Sequence, residues 1–285
     1  MARVWVVGSL NVDLVATVET FPAPGETVAA RDFRTYPGGK GANQAVAASA
    51  AGAQVTLVGC VGDDDNGDRY RRGLVERGVD VGSLRVVSGL VTGHAVILVD
   101  ARGANCIVVA AGANSALTPH DVEQASFGPG DVVLLQLEVP VDVVCRAIVK
   151  GHAAGATVVL NPSPFAVLPI DVLELCDVLV VNESEYAALT SAGLRHRSVV
   201  VTRGAAGAQW GEALVPSRAA DVVDSTGAGD AFTGALSAAL TLGVQHHEAL
   251  GLAVAAGARA VEVRGAQGWE LGGESPRIGG TQART

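Results

Sequence analysis

The chain lacks the patterns that mark nucleic-acid-binding and membrane proteins. Its 20 lysines and arginines form no cluster and its formal net charge is −9, so a surface that binds nucleic-acid phosphates is not expected. No uninterrupted apolar run reaches membrane-spanning length. The opening residues 1–8 are too few for the apolar core of a signal peptide and predict a first β-strand. We therefore expect a cytoplasmic protein without nucleic-acid or membrane partners.

Cysteine is scarce, and its spacing excludes the common metal and redox motifs. The four cysteines, Cys60, Cys106, Cys145 and Cys176, form no C-x-x-C pair. The six histidines show no metal-binding spacing either. We interpret the cysteines as buried structural thiols and assign the histidines no chemistry.

Two nucleotide-binding fingerprints are also missing. No G-x-G-x-x-G follows the first strand, which disfavours a dinucleotide-dependent dehydrogenase. A Gly-Lys pair at residues 39–40 is a partial match to a P-loop. That match fails because Gly41 stands where a P-loop needs Ser or Thr, and Arg34 stands where it needs its first glycine.

What the sequence does contain is the alternation of an α/β protein. Hydrophobic residues make up 49% of the 285 residues and charged residues 17%, the balance of a globular protein with one large core. Val-rich runs that predict strands lie at residues 4–7, 55–60, 132–136, 157–160, 178–181 and 199–202. Helical patterns lie between them, at residues 42–51, 68–77, 141–154 and 184–189. Strands that are apolar throughout and separated by helices predict a parallel sheet with helices on both faces.

Two segments, residues 14–36 and 92–109, interrupt this alternation. Both carry strand-like patterns with turn signals and contain no credible helix. We interpret them as a small β-sheet lid over the carboxyl ends of the parallel strands, where open α/β sheets bind ligands, with simple decoration as the alternative. The α/β domain would then comprise residues 1–13, 37–91 and 110–268, followed by a tail at 269–285 that we expect to be disordered.

The strongest chemical signal is the stretch from Asp224 to Asp230, which leads into a helical pattern from residue 231. Gly227 and Gly229 allow a tight turn that exposes backbone N–H groups, and the positive end of the helix favours an anion there. Asp230 is placed to accept a proton from a substrate hydroxyl beside that anion. The alternative is a Gly-rich turn whose aspartate only caps a helix.

Other polar residues follow the predicted strands. Asn11 and Asp13 follow the first strand and can bind the hydroxyls of a polyol, as can Asn43 just inside the next helix. Glu138 ends another strand and is a candidate acceptor for a sugar hydroxyl. Each is also an ordinary turn or loop residue.

A second group suits a nucleotide. Asn182 and Glu185 follow a strand and can hold the water shell of Mg²⁺, which takes only one or two carboxylates. The Gly-rich turn at residues 202–207 allows close approach of a nucleotide, although turns of this composition are common.

Residues 38–45 and 224–230 are similar to the two signatures of the ribokinase (PfkB-type) carbohydrate kinase family. Shorter stretches in the same order extend the resemblance from residue 4 to about residue 267. The resemblance implies an α/β fold, a ribokinase-like three-layer sandwich with a mainly parallel central sheet and a small β-sheet lid. It also implies an ATP-dependent sugar kinase that uses Mg²⁺ and K⁺ and forms a homodimer through the lid.

The resemblance also implies roles for individual residues. The catalytic group is Asp230 with the backbone of Gly227, Ala228 and Gly229. The sugar-contacting group is Asn11, Asp13, Gly39, Lys40, Asn43 and Glu138, with Ala95, Ile97 and Ile107 as apolar lid contacts. The nucleotide group is Asn182, Glu185, Thr202, Gly204 and Gly207, with Glu185 holding Mg²⁺ through water. The monovalent-cation group is Asp224 and Thr226 with the main chain near Ala260, Val263 and Gly265.

Asn43 followed by Gln44, together with Asn11 and Asp13, favours a small pentose, and phosphorylation of D-ribose at O5 is the leading expectation. A family kinase for another sugar or a nucleoside, and an inactive sugar-binding relative, remain as alternatives. The chain departs from the family pattern in two places: no helix is expected between residues 189 and 198, and a Gly-rich segment follows Gln267.

Overall fold

The apolar runs of the sequence form a ten-stranded sheet flanked by helices in the computed structural model, which describes residues 2–268. The strands of this sheet are β1 (Val4–Val7), β4 (Val55–Gly62), β5 (Val79–Asp80), β6 (Leu84–Val87), β9 (Val132–Leu135), β10 (Thr157–Leu160), β11 (Val178–Asn182), β12 (Val199–Thr202), β13 (Ala208–Trp210) and β14 (Ala213–Val215). A separate four-stranded sheet contains β2 (Asn11–Thr17), β3 (Asp32–Gly38), β7 (Gly93–Val99) and β8 (Asn105–Ala110). The helices are α1 (Lys40–Ala50), α2 (Asp65–Glu76), α3 (Pro119–Glu123), α4 (Val141–Ala153), α5 (Ile170–Leu173), α6 (Glu183–Ser191), α7 (Ala228–Thr241) and α8 (His246–Ala260).

The large sheet has the order β14-β13-β12-β11-β10-β9-β1-β4-β5, and β6 pairs with β4. Its strands are parallel except for β13 and β14, which pair antiparallel at one edge. The inner strands are apolar throughout because helices α1, α2, α7 and α8 cover one face and α3, α4, α5 and α6 the other. The predicted α/β fold with a mainly parallel central sheet is confirmed.

The small sheet contains the two segments that interrupt the α/β alternation. Its order is β3-β2-β7-β8, with a parallel β2–β7 pair between two antiparallel pairs. Strand β2 begins at Asn11 and β3 continues to Gly38, so both reach closer to the large sheet than the predicted segment 14–36. The reason is burial: the residues at the base of both strands are buried on both faces, which removes the alternation on which the prediction rested.

Two further expectations have mixed outcomes. Cys60 and Cys176 are buried and Cys145 is half-buried, but Cys106 is exposed, so the prediction of a buried thiol is wrong there. The physical reason is that β8 is an edge strand exposed on both faces. Helix α6 extends to Ser191, two residues into the link that was expected to be helix-free, and residues 192–198 form no helix. The predicted tail at 269–285 lies outside the described residues.

Within residues 2–268, none of the helices combines the length and the apolar character needed to cross a bilayer.

Candidate active site

The site forms where the carboxyl ends of the parallel strands meet the start of α7. Asp230 lies in the first turn of this helix and is only 7% exposed. The residue before the helix, Gly227, has φ +76°, and a Cβ there would lie 2.6 Å from the Cα of Ala266. The turn therefore requires glycine at position 227.

The amides of this turn are largely uncommitted. Within the described residues, the N–H groups of Gly227 and Gly229 have no protein acceptor, while Ala228 donates to the carbonyl of Ser225 at 3.3 Å. Two of the three amides expected to bind an anion are therefore open, and the third is engaged in the turn. The positive end of α7 adds to their attraction for an anion.

Asp230 accepts hydrogen bonds on both carboxylate oxygens from consecutive residues of α1. Asn43 donates Nδ2 to Oδ2 at 2.9 Å, and Gln44 donates Nε2 to Oδ1 at 2.8 Å. In the sequence, Gln44 indicates only a preference for a small sugar. Its contact with Asp230 depends on how α1 packs on α7, which local sequence does not reveal.

The start of α1 packs directly on the chain that leads from β1 into β2. A Cβ on Gly39 would lie 2.7 Å from the backbone nitrogen of Asn11, and one on Gly41 would lie 2.5 Å from that of Ser9. This close approach brings Lys40 to Glu138: the Lys40 N–H donates to Glu138 Oε2 at 2.9 Å.

Three carboxylates, those of Asp13, Glu138 and Asp230, share this site with the ammonium group of Lys40. Burial, with the nearby charges of Glu138 and Asp230, raises the pKa of Asp13 from 3.8 to about 7. Burial alone would lower the pKa of Lys40, but the carboxylates of Asp230, Glu138 and Glu185 outweigh it and raise that pKa. The Lys40 side chain therefore stays positively charged near these three carboxylates.

The small sheet presents one face to this site. The strand register puts Asp13 beside Ala95 and Ile97 beside Ile107, and side-chain alternation places all four on the same face. Ala95 is buried, whereas Ile107 is half exposed near the sheet edge.

Asn11 is held at the base of the small sheet. Its side chain is buried, and its Oδ1 accepts from Nδ2 of Asn114 at 2.8 Å. Asn114 also bonds both backbone groups of Leu10, at 2.9 Å each. The buried Asn114 therefore fixes the Asn11 amide.

A cleft of about 120 Å³ opens next to Asp230 and collects most of the residues assigned to the nucleotide. Its lining includes Lys40, Asn182, Glu185, Thr202, Gly227, Gly229 and Asp230. Residues from four separate parts of the sequence thus meet around one opening.

Asn182 and Glu185 also have a structural role, because they form the capping box of α6. Asn182 Oδ1 accepts from the Glu185 N–H at 2.8 Å, and Glu185 Oε2 accepts from the Asn182 N–H at 2.9 Å. The other oxygen of Glu185, Oε1, has no hydrogen bond within the described residues. The N-x-x-E spacing in the sequence could have predicted this cap.

Gly204 and Gly207 lie in the short turn between β12 and β13 and do not line the cleft. Gly207 has φ +94°, and a Cβ there would lie 2.0 Å from the carbonyl oxygen of Val215. This packing against β14 explains why position 207 is glycine.

The residues assigned to a monovalent cation come from two segments that Asp224 joins. Asp224 Oδ1 accepts from the Thr226 N–H and Oδ2 accepts from the Gly265 N–H, both at 2.9 Å. Burial alone would raise the pKa of Asp224, but these hydrogen bonds and Arg264 outweigh it and lower that pKa. Ala260 ends α8, and Val263 is half exposed in the following turn. Asp224 therefore connects the segment before α7 to the segment after α8 through their backbone N–H groups.

A larger groove, of about 1190 Å³, lies elsewhere on the molecule. It runs along β12 and β13 beside the helix-free residues 192–198, and Trp210 stacks on His246 at one end with ring centroids 3.9 Å apart. None of the site residues inferred from the sequence lines it.

Comparisons with known proteins show the family of the chain. The family model for pfkB family carbohydrate kinases matches residues 1–270. Ribokinase from Bacillus subtilis is 37% identical over 281 residues, which cover 94% of this chain and 96% of the relative. A bifunctional ribokinase/ribose-5-phosphate isomerase A from Fructilactobacillus sanfranciscensis is 35% identical over 291 residues, which cover 94% of this chain but only 54% of that protein.

A solved structure of Arabidopsis thaliana ribokinase complexed with ribose and ATP is 32% identical, has a TM-score of 0.81, and matches 93% of this chain and 94% of the other. The chain belongs to the pfkB family of carbohydrate kinases and has the ribokinase-like fold. Within that family, the chain resembles ribokinases over most of its length. This similarity supports its assignment as a ribokinase enzyme.

Proposed function

We propose that the chain catalyses ATP-dependent phosphorylation of D-ribose at O5, giving ribose 5-phosphate and ADP. One observation carries this proposal: the Asp230 carboxylate lies in the same helix turn as the open amides of Gly227 and Gly229. Phosphoryl transfer needs a base for the attacking hydroxyl and fixed positive charge for the migrating phosphoryl group. Asp230 supplies the first, and the two amides with the end of α7 supply the second.

In this proposal the sugar lies between the small sheet and the start of α1. Its hydroxyls bond to the polar residues Asn11, Asp13, Asn43 and Glu138, while Gly39 and Lys40 form the floor. The apolar face made by Ala95, Ile97 and Ile107 covers the sugar as a lid and excludes water from the reacting atoms.

ATP approaches from the other side of Asp230, along the cleft that Thr202 and Glu185 line. Lys40 lines the same cleft, and its ammonium group would attract the phosphates of ATP. Glu185 would hold Mg²⁺ through water, using the oxygen that its helix cap leaves open. Mg²⁺, when bound, neutralises phosphate charge.

A monovalent cation, K⁺, would bind where Asp224 joins the loop after β14 to the end of α8. The donors are Asp224 and Thr226 with carbonyls near Ala260, Val263 and Gly265. A cation there would steady the turn that carries the open amides, since Gly227 packs on residue 266.

We also propose a homodimer formed through the small sheets. The face opposite Asp13 carries three exposed apolar side chains, Phe33, Val96 and Val108, each at least 46% exposed. Val108→Lys should give a monomer in analytical ultracentrifugation, while Val75→Lys, at an exposed position of α2, should leave a dimer. A native chain that sediments as a monomer at all concentrations excludes the dimer.

The test of function is ADP release with ribose, 2-deoxyribose, fructose, adenosine and inosine, each with and without K⁺. Ribose should have the highest kcat/KM, by about tenfold or more, because a site that bonds each hydroxyl loses binding when one is missing or misplaced. ³¹P NMR of the product should show a phosphate ester at C5. A higher kcat/KM for a hexose or nucleoside would select the related-kinase alternative, and calorimetric ribose binding without ADP release would select the inactive one.

A further inference from the structure

Each oxygen of Asp230 receives one amide donor, and each donor belongs to a hydrogen-bond relay that begins at a backbone carbonyl. A carbonyl oxygen only accepts, so it fixes the direction of every bond that follows. The direction matters because an Asn or Gln amide can present either an N–H or an oxygen to a carboxylate.

The first relay begins at the carbonyl of Gly38. The hydroxyl of the fully buried Tyr70 donates to it, so the Tyr70 oxygen accepts from Nε2 of Gln267 at 2.7 Å. The same Nε2 donates to Asn43 Oδ1 at 2.8 Å. That contact turns Asn43 Nδ2 toward Asp230.

The second relay begins at the carbonyl of Val180. Asn161 donates Nδ2 to it at 2.8 Å, which leaves Asn161 Oδ1 to accept from Nε2 of Gln44 at 3.1 Å. The same Nε2 reaches Asp230, and Gln136 donates to Gln44 Oε1 at 2.6 Å. The two relays share no other residue, and each presents an N–H donor to the Asp230 carboxylate.

We infer that Gln267 is a positioning residue for Asp230, acting through Asn43 to keep an N–H donor, and not an oxygen, against the carboxylate. The inference rests on the proposed function in taking Asp230 as the base. If the Asn43 amide turned over, its Oδ1 would face Asp230 Oδ2 across the present 2.9 Å, and the repulsion would move the carboxylate.

The segment that carries Gln267 also touches the other parts of the site. Gly265 donates to Asp224, and Ala266 packs against Gly227. Three consecutive residues therefore contact the proposed cation loop, the anion-binding turn and the partner of the base. Gln267, near the end of the family match, therefore reaches the proposed base through Asn43.

The kinetic test compares two substitutions of similar size. Gln267→Glu introduces only acceptors at neutral pH and forces the Asn43 amide to turn, whereas Gln267→Met removes the contact without opposing it. We expect kcat to fall about 100-fold for Gln267→Glu and about tenfold for Gln267→Met, with KM for ATP within about twofold of the native value. Gln124→Glu, at an exposed position, is the control and should leave kcat unchanged.

A role in packing alone predicts the opposite order, since glutamate matches the shape of glutamine better than methionine does. Tyr70→Phe removes the anchor without adding charge, and kcat should fall about threefold to tenfold with an unchanged KM for ATP. Native kcat for Gln267→Glu, or a smaller loss than for Gln267→Met, overturns the inference while leaving the kinase activity in place.

A second measurement does not depend on turnover. Gln267→Glu should lower Tm by about 2–4 °C or more, and most of that loss should disappear in an Asp230→Asn background, where the new amide can donate to a turned Asn43. It should persist in an Asp13→Asn background, which removes a nearby carboxylate outside the relay. Equal losses in all three backgrounds, or equal recovery in both variants, overturn the inference even if the native chain proves inactive.

Discussion

The carboxylate of Asp13 lies against the Cα of Gly38, so closely that a Cβ at position 38 would be 2.1 Å from Oδ2. The two residues belong to the paired strands β2 and β3, at the end of the small sheet nearest Asp230. Gly38 is therefore kept free of a side chain by the carboxylate beside it, which explains one glycine of the 38–45 signature by a contact rather than by a turn.

Gly38→Ala should displace Asp13 and weaken sugar binding. A Cβ that overlaps buried atoms costs about 1–3 kcal/mol of stability, and the displaced carboxylate would no longer reach the proposed sugar site. We expect a lower Tm and a higher KM for ribose. The double variant Gly38→Ala/Asp13→Ala should recover most of the Tm but not the KM, because the overlap is gone and so is the acceptor. A Gly38→Ala variant with native Tm and KM would show that the contact has no importance.

The pKa of Asp13, about 7, predicts a pH-dependent KM for the sugar. The carboxylate accepts hydrogen bonds from sugar hydroxyls more strongly than the protonated acid does. KM should therefore rise as pH falls below 7, approaching about tenfold per pH unit. Steady-state kinetics between pH 5.5 and 8.5 tests this. Asp13→Asn should have a KM that is higher than native and independent of pH. A native KM that stays constant over this range contradicts the role of Asp13 in sugar binding.

The raised pKa of Asp13 also makes the stability of the fold depend on pH. The folded pKa lies above the ordinary 3.8, so between about pH 4 and 7 the folded chain binds more protons than the unfolded chain. The contribution of Asp13 to the free energy of unfolding therefore falls as pH rises through this range. Asp13→Asn should raise Tm at pH 8 and have little effect at pH 4.

Much of the fold follows from the sequence pattern. Buried strands such as Val4–Val7 are apolar at every position because both faces are covered, and this composition predicts a parallel sheet. The start of α7 follows from Gly227 and the apolar periodicity after it. The base of β2 was missed because Asn11 and Val12 are both buried, so no alternation marks the strand there.

The candidate site was predicted in part, and the limit has a physical cause. Asp230 and Asn43 stand in recognisable motifs, but their partners come from distant segments: Gln267 reaches Asn43 across 224 positions of the chain. The connection of Tyr70, Asn161 and Gln267 to Asp230 has no local signal, because a hydrogen-bond relay depends on which elements pack together. The role of a buried polar side chain can be assigned only when its hydrogen-bond partners in the fold are known.

A matched pair of glycines tests the anion-binding turn. Gly229 and Gly251 lie in α7 and α8, and a Cβ at either would meet no atom within 4 Å. Each change to alanine should therefore leave stability unchanged or raise it by up to about 1 kcal/mol. Gly229 lines the cleft proposed for ATP, so Gly229→Ala should raise KM for ATP and lower kcat, while Gly251→Ala should keep native kinetics. Equal kinetics in the two variants would show that the anion does not bind at this turn.

The central claim is that Asp230 accepts the proton of a sugar hydroxyl, and the most direct test is kcat for ribose phosphorylation by Asp230→Asn. The amide keeps the size of the side chain but cannot take the proton, so kcat should fall about 10²–10⁴-fold. Ribose binding, measured by calorimetry, should stay within about threefold of native, since the loss is confined to the transition state. A variant that keeps native kcat would contradict the account.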